Sequence, residues 1–497
     1  MPEELFKNHI LSKTSFLRGC QCKKALYLSK HNFGLKDAVS PAQQAIFDKG
    51  IEVGLLARKL FAEGVDASPS ENFNYSKAVI STQELLNKNT SIIYEATFQY
   101  DELLTASDIL VNDNGKWKCY EVKSSTQIKD VFLLDAAFQY FILNRCGITI
   151  DDISIIYINN QYTRKNDLEL NKLFIIESVK NKVIQLQESI EQKINELKSV
   201  LTSGTAPHED IGLQCSDPYP CDYSSHCWKH IKEPSVFDLV RLNSNKKFQL
   251  YKKGIIEFTQ LPHDYNLTDG QRMQVDCFLN QKTFIDKSAI KAFLSELSFP
   301  LFYLDFESFQ SFIPLFNNSK PYQQIAFQYS LHKKSKRDEE PIHYDFLADA
   351  DGNDPRITFI ESLLNDTEST GQIMVYNQAF EITILKQLAS DFPKYAEDIH
   401  ERISRIVDLM IPFSKHMYYN PRQNGRHSLK VVLPAVVSGL SYDNLEIGQG
   451  ADASAAFLSL YNNRNKSDVE KIRINLKEYC RMDTYAMVKL FEFLEKI

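Results

Sequence analysis

Residues 106–125 read ASDILVNDNGKWKCYEVKSS, and the fold of the first half of the chain turns on them. Apolar and polar residues alternate up to Asp108, turn residues occupy Asn112 to Gly115, and the chain returns through Trp117, Cys119 and Glu121 to Lys123. This pattern predicts a β-hairpin. Successive strand side chains face opposite ways, so Glu121 and Lys123 point to one face, while Asp108 adjoins the run Ile109-Leu110-Val111. Two carboxylates and a lysine converging there fit a site for a hard divalent cation that activates water. On a solvated hairpin the same three would amount to a surface ion pair.

Outward from the hairpin, SIIYEATFQY (91–100) predicts a strand with Glu95 among apolar neighbours. Downstream, DVFLLDAAFQYFILNRCG predicts a helix that carries Gln139 and Tyr140 and stops at a glycine, and DISIIYINNQYT predicts a returning strand. A long amphipathic helix follows from about Ser178 to Ser203, with Ile184, Ile190, Ile194, Leu197 and Leu201 on one stripe. Upstream, FDKGIEVGLLARKLF has helical spacing, and Gly50 and Gly54 inside it imply close approach by another element. Alternating strands and helices of this kind predict an α/β domain over residues 1–235.

That domain ends in QCSDPYPCDYSSHCWKH, where Cys215, Cys221 and Cys227 fall in a proline-broken loop. The chain has nine cysteines, an odd number that argues against a disulfide framework. Zinc is one reading of the three, with His226, His230 or a remote cysteine as fourth ligand. An iron–sulfur cluster completed by Cys22 is another, and free thiols are a third.

Residues 236–295 read as a helical connecting region, and a second α/β unit is expected over 296–497. It opens with FPLFYLDFESF, where Asp305 and Glu307 interrupt an apolar strand at alternate positions and so share a face. Two unpaired carboxylates on a buried strand are costly unless they bind metal. The strands IAFQYSLH and IHYDFLAD, a helix from Arg356 and the strand QIMVYN follow, then a helix containing Asn377, Phe380 and Glu381. IVDLMIPF and RHSLKVVLPAV read as helical, and the final helix places Tyr479 and Asp483 four residues apart on one face.

The length of 497 residues implies several domains, and 43% hydrophobic with 24% charged residues is an ordinary globular balance. The opening MPEELFKNHILSKTSF lacks the apolar core of a signal peptide, and no later apolar run approaches membrane-spanning length. A cytoplasmic protein with no membrane partner is the expectation. A net charge of −7 leaves nucleic-acid binding open, because a basic groove can coexist with an acidic remainder.

Taken in order, Gly50, Glu95, Asp108, Glu121-Val122-Lys123 and Gln139-Tyr140, bracketed by one early and three late cysteines, resemble the RecB-like PD-(D/E)XK nucleases that carry a 4Fe–4S cluster. The resemblance implies a restriction-endonuclease-like fold in which Asp108 and Glu121 ligate Mg2+ or Mn2+. Lys123 would position or deprotonate the attacking water, Gln139 would support the site, and Cys22, Cys215, Cys221 and Cys227 would hold the cluster. The metal-binding histidine that many relatives carry after the helix glycine is absent from GIEVGLLA, and Tyr140 directly adjoins Gln139 where relatives often have a later tyrosine. The second unit resembles the DEDD exonucleases of the RNase H-like fold, in their tyrosine variant. That resemblance implies metal ligation by Asp305, Glu307, Glu381 and Asp483 and water orientation by Tyr479, with Glu381 standing where the family usually has Asp. Asp408 falls where relatives often have a supporting Asp, though a helix cap would also account for it. The segments YLDFESF, PYQQIAFQYSLH and SLKVVLP are similar to those of a bacterial family of uncharacterised proteins in which two such units are fused. The expected function is therefore metal-dependent hydrolysis of DNA or RNA, from a single-stranded end, at a PD-(D/E)XK site and a DEDD 3′-to-5′ exonuclease site. An active DEDD site with the first domain as a clamp, and a non-catalytic binding scaffold, are the competing readings.

Overall fold

The protein is described from a computed structural model covering residues 10–68, 74–461 and 465–497. The first nine residues, part of the segment read for a leader, lie outside the described residues. Two compact units are present: unit 1 comprises residues 1–230 with 312–322, and unit 2 comprises 231–311 with 323–497. The boundary thus falls near residue 230, residues 236–295 cluster with the second unit, and a short segment beyond 311 returns to the first.

Unit 1 is built on a seven-stranded sheet. Its strands are β1 (Leu11–Ser12), β2 (Val65–Asp66), β3 (Ile92–Tyr100), β4 (Leu103–Asp113), β5 (Lys116–Lys123), β6 (Ile150–Ile158) and β7 (Phe174–Ser178). The order is β2-β3-β4-β5-β6-β7, with β1 pairing in parallel to the start of β4. The opening stretch forms the antiparallel pair β4–β5 at the sheet centre, and β5 runs parallel to β6 across the helix Asp130–Arg145. Two glycines of helix Pro41–Arg58 depart from expectation: a Cβ on Gly50 or Gly54 would meet nothing within 4 Å, so neither has a close neighbour among the described residues. In helix Lys180–Thr202 the inward stripe is Val183, Ile190, Ile194, Leu197 and Leu201, whereas Ile184 is 46% exposed. Val183 lies two turns before Ile190 and so continues the stripe, while Ile184 lies about 100° off it. Helices Lys13–Gln21 and Asp130–Arg145 meet through stacked Phe16 and Phe138 rings, 4.4 Å apart at their centroids.

Unit 2 contains a ribbon of β8 (Phe284–Ile285) with β14 (Tyr418–Tyr419), and a five-stranded sheet. The sheet strands are β9 (Leu301–Phe309), β10 (Ile325–Lys334), β11 (Ile342–Leu347), β12 (Gln372–Val375) and β13 (Ile406–Asp408), in the order β11-β10-β9-β12-β13. β10 runs antiparallel to both β9 and β11, while β12 runs parallel to both β9 and β13. β9 is central, which explains its apolar, aromatic composition and makes its two acidic residues conspicuous. The final helix, Lys466–Glu495, packs on β9 and β10. IVD is a strand rather than a helix: Ile406–Asp408 continues the parallel edge. A run of three residues carries no period that separates strand from helix. Asn377 precedes the helix Ala379–Asp391 rather than lying inside it, at a positive φ of 70°. Among the described residues, no helix is long and apolar enough to cross a membrane.

Candidate active sites

In unit 1, Glu121 is almost wholly buried at 2% exposure, which rules out a solvated hairpin face. Lys123 lies beside it as strand alternation demands, Nζ to Oε1 2.6 Å. Gln139 reaches across from the helix and donates to Glu121 Oε2 at 2.6 Å. Two residues that the motif reading did not single out complete the group. Lys13, first residue of its helix, donates to both Glu121 oxygens at 2.9 and 3.1 Å. Asp135, one helical turn before Gln139, accepts from Lys123 at 2.5 Å and from Gln139 at 3.1 Å.

Asp108 is partly buried and accepts the Val122 backbone N–H at 2.7 Å. Burial, then the Glu121 charge, pushes its carboxyl up to about 7. Glu121 moves the other way: burial opposes its ionisation, but Lys123 and Lys13 outweigh that and hold it well below the usual carboxylate range. Glu95, at a positive φ of 52° inside β3, is held by Arg58 at 2.7 Å and stands as a further charge facing Asp108.

Cys22, Cys215, Cys221 and Cys227 line one small cavity, together with Glu209, Tyr223 and Ser224. Cys22 is well anchored: its sulfur caps helix Lys23–His31 by accepting from Ala25 N and donates to Glu209 at 3.0 Å. Burial and the Glu209 bond raise its thiol to about 12. Among the described residues, the group of three or more metal-type ligands whose atoms lie within 4.8 Å of one another is Asp305, Glu307 and Asp483, so no three of these sulfurs are that close. A tetrahedral zinc with Zn–S of about 2.3 Å would draw its sulfurs to about 3.8 Å apart.

In unit 2, Asp305 and Glu307 project from β9 and Asp483 from the final helix onto the same point, their ligand atoms within 4.8 Å. Across β10 the register partners are Ser330 opposite Asp305 and Gln328 opposite Glu307. Burial comes first in raising each carboxyl; the neighbouring carboxylates come next for Asp305 and Glu307. Asp305 rises well above its ordinary value, Glu307 to about 8 and Asp483 to about 6. Asp483 is further held by the Tyr442 hydroxyl, which donates to Oδ1 at 2.6 Å, and by Tyr479. Lys430 donates to the Tyr479 hydroxyl at 2.9 Å and to Gly448 O at 2.6 Å, so the phenol is fixed on the cluster's rim.

Glu381 is the one of the four acidic residues that stays outside the close group. It is 2% exposed, burial lifts it to about 8, and its Oε2 makes no hydrogen bond. Its charge nonetheless acts on Asp305 and Glu307. Asp408 is a cap supplied from a neighbouring strand: it accepts from Asn377 N and Met410 N, both at 2.9 Å, and from Gln378 N at 3.3 Å. It thereby fixes the turn that leads into Glu381.

The three-carboxylate cluster suits divalent ions. Three oxygens converge with no lysine or arginine in an ion pair with them among the described residues, the Lys430 ammonium acting from the rim, and a buried fourth carboxylate has an unpartnered oxygen. The unit 1 group is different, because each carboxylate oxygen of Glu121 and Asp135 already accepts from an ammonium or an amide.

Residues 302–428 match a family model described as a domain of unknown function, DUF2779. That stretch includes Asp305, Glu307, Glu381 and Asp408, while Tyr479, Asp483 and nearly all of unit 1 lie beyond it. The chain is similar to the uncharacterised protein MG366 of Mycoplasma genitalium, 26% identical over 251 residues that make up 47% of this chain and 37% of that protein. It is also similar to the uncharacterised protein UU173 of Ureaplasma parvum, 23% identical over 285 residues covering 53% of this chain and 41% of the relative. A homologue of MG366 in Mycoplasma pneumoniae is 25% identical over 212 residues. The chain thus spans about two fifths of the length of the curated relatives it matches.

Proposed function

We propose that the chain is a metal-dependent nuclease whose principal catalytic centre is the carboxylate cluster of unit 2. The convergence of Asp305, Glu307 and Asp483 within 4.8 Å, on a central strand and the helix packed against it, carries this reading. The strand order β11-β10-β9-β12-β13, three antiparallel followed by two parallel, supports an RNase H-like assignment of the DEDD type. Divalent ions bound there would supply an activated water and charge stabilisation at a scissile phosphate. The chain's own part is positional. Asp305 and Glu307 present oxygens on one strand face, Tyr442 and Tyr479 hold Asp483, and Lys430 fixes the Tyr479 hydroxyl at the rim, where it can orient a water. Glu381, with one oxygen unpartnered, completes the acidic set. A centre of this kind suits a 3′ end of DNA or RNA presented as a single strand.

Unit 1 is proposed as a PD-(D/E)XK-type domain, a reading supported by Asp108, Glu121, Lys123 and Gln139 gathering around one buried carboxylate. The cavity lined by four cysteines supports a bound metal group held by thiolates, of which a 4Fe–4S cluster is the proposed form. The pairing of Glu121 and Asp135 with two lysines favours the reading in which unit 2 holds the cutting metal centre and unit 1, its own carboxylates already paired, serves as a clamp.

The test is a panel of 5′- and 3′-labelled single- and double-stranded DNA and RNA, incubated with Mg2+ or Mn2+. Progressive shortening from the 3′ end is expected, stopped by chelator and abolished by Asp305→Asn. A chain that binds these strands equally well with chelator and never shortens them is a scaffold, and the proposal fails.

A further inference from the structure

The unit 1 site resembles a metal centre in its residue types and differs from one in its charges. Glu121 Oε1 accepts from Lys13 at 2.9 Å and from Lys123 at 2.6 Å, and Oε2 accepts from Lys13 at 3.1 Å and from Gln139 at 2.6 Å. Asp135 Oδ2 accepts from Lys123 at 2.5 Å, while its Oδ1 accepts from Gln139 at 3.1 Å and lies 3.7 Å from Lys13. Asp108 Oδ2 is taken by the Val122 N–H. A divalent ion needs oxygen lone pairs at about 2.0–2.6 Å, and on Glu121, the carboxylate at the centre of the group, four donors already occupy both oxygens.

Charge makes the same point. Glu121 already meets two ammonium groups, Lys13 and Lys123, at 2.6–3.1 Å, so an ion placed on its oxygens would sit against two like charges in a buried site, where their repulsion is poorly screened. Lys13 is not a loose side chain that has drifted in. It begins a helix whose Ser12 cap forms a reciprocal capping box with Ser15, and β1, immediately before it, pairs with Leu103 and Leu104 of β4.

We propose that Lys13 is the resident counter-cation of the unit 1 carboxylates and that its ammonium and a divalent ion exclude one another there. The site accepts metal only when Lys13 is withdrawn or removed, which makes Lys13 the residue that decides whether unit 1 is a clamp or a second metal centre. This rests on the reading above only in treating the unit 2 cluster as the chain's open metal site.

The test uses the full chain carrying Asp305→Asn and Asp483→Asn, with Mn2+ binding read from the electron paramagnetic resonance signal of the free ion. With Lys13 intact no Mn2+ should bind tightly. Adding Lys13→Met should create one Mn2+ site at least tenfold tighter, removed again by Glu121→Gln. In thermal melts, Mn2+ should raise the midpoint of the Lys13→Met chain and leave that of its parent unchanged. Lys13→Gln, which keeps a hydrogen-bond donor, carries the comparison if the methionine variant does not fold. A Lys13-intact chain that binds one Mn2+ lost with Glu121→Gln overturns the proposal, as does a folded Lys13 variant that gains none. Failure of the unit 2 reading shows separately, as a wild-type chain that binds no more Mn2+ than the double variant.

Discussion

Removing divalent metal from unit 2 and raising the pH should destabilise it, and the size of the effect follows from its buried glutamates. Glu307 and Glu381 each sit near 8 in the fold against an ordinary 4.5. A carboxyl raised in the folded state keeps its proton there while the unfolded chain gives its proton up, so stability falls as pH climbs from about 4.5 to about 8 and then levels. Between pH 5.5 and 8 one such glutamate spans about 2.5 pH units, worth about 3 kcal/mol at roughly 1.4 kcal/mol per unit. Burial is the first cause of both rises, and Asp305 and Asp483 are raised as well, so one glutamate's worth is a lower bound. At about 2–4 °C per kcal/mol for a unit of this size, the metal-free midpoint should drop by at least about 6–12 °C between pH 5.5 and 8.5. Differential scanning calorimetry in chelator measures it on the transition that responds to magnesium. Saturating Mg2+ should flatten the dependence by pairing the ionised carboxylates, and Glu307→Gln should shrink it in chelator. Metal-free midpoints that coincide at the two pH values, or rise with pH, would refute the reasoning.

Three further outcomes follow from particular contacts. Asp408→Ala leaves the Asn377 and Met410 N–H groups without their acceptor and should cost about 2 kcal/mol in chemical denaturation, with Asp408→Asn recovering part; an unchanged midpoint would remove its capping role. Cys221→Ser should abolish bound iron and absorption near 400 nm, whereas Cys277→Ser, in unit 2, should leave both intact; equal iron in the two variants would sink the cysteine assignment. Tyr479→Phe should slow strand shortening about tenfold or more while Mn2+ affinity stays unchanged, and a full-rate variant would remove the tyrosine from the mechanism.

The parts of both sites that lie within one element were legible in the sequence. Strand alternation put Glu121 with Lys123 and Asp305 with Glu307, and helical spacing put Tyr479 with Asp483. Asp135 had a usable signal, being polar with Gln139 one turn away in an otherwise apolar helix. Lys13 had none: it meets Glu121 across 108 residues, and only the packing of its helix brings it there. Lys430 and Tyr442 reach unit 2's cluster in the same long-range way. Gly50 and Gly54 misled, since a glycine in a helix permits close approach without requiring it. The strand at Ile406–Asp408 was too short for its period to speak; the capping role offered for Asp408 holds, but two of its donors, Asn377 and Gln378, lie some thirty residues away.

The most direct measurement of the central claim is anomalous diffraction at the manganese edge from crystals of the Tyr479→Phe chain, soaked in Mn2+ with a short single-stranded oligonucleotide. The account predicts a manganese peak about 2.2 Å from oxygens of Asp305, Glu307 and Asp483 and in contact with the last phosphodiester of the strand. No peak at that cluster under saturating Mn2+, or a strand whose 3′ end lies elsewhere, would contradict it.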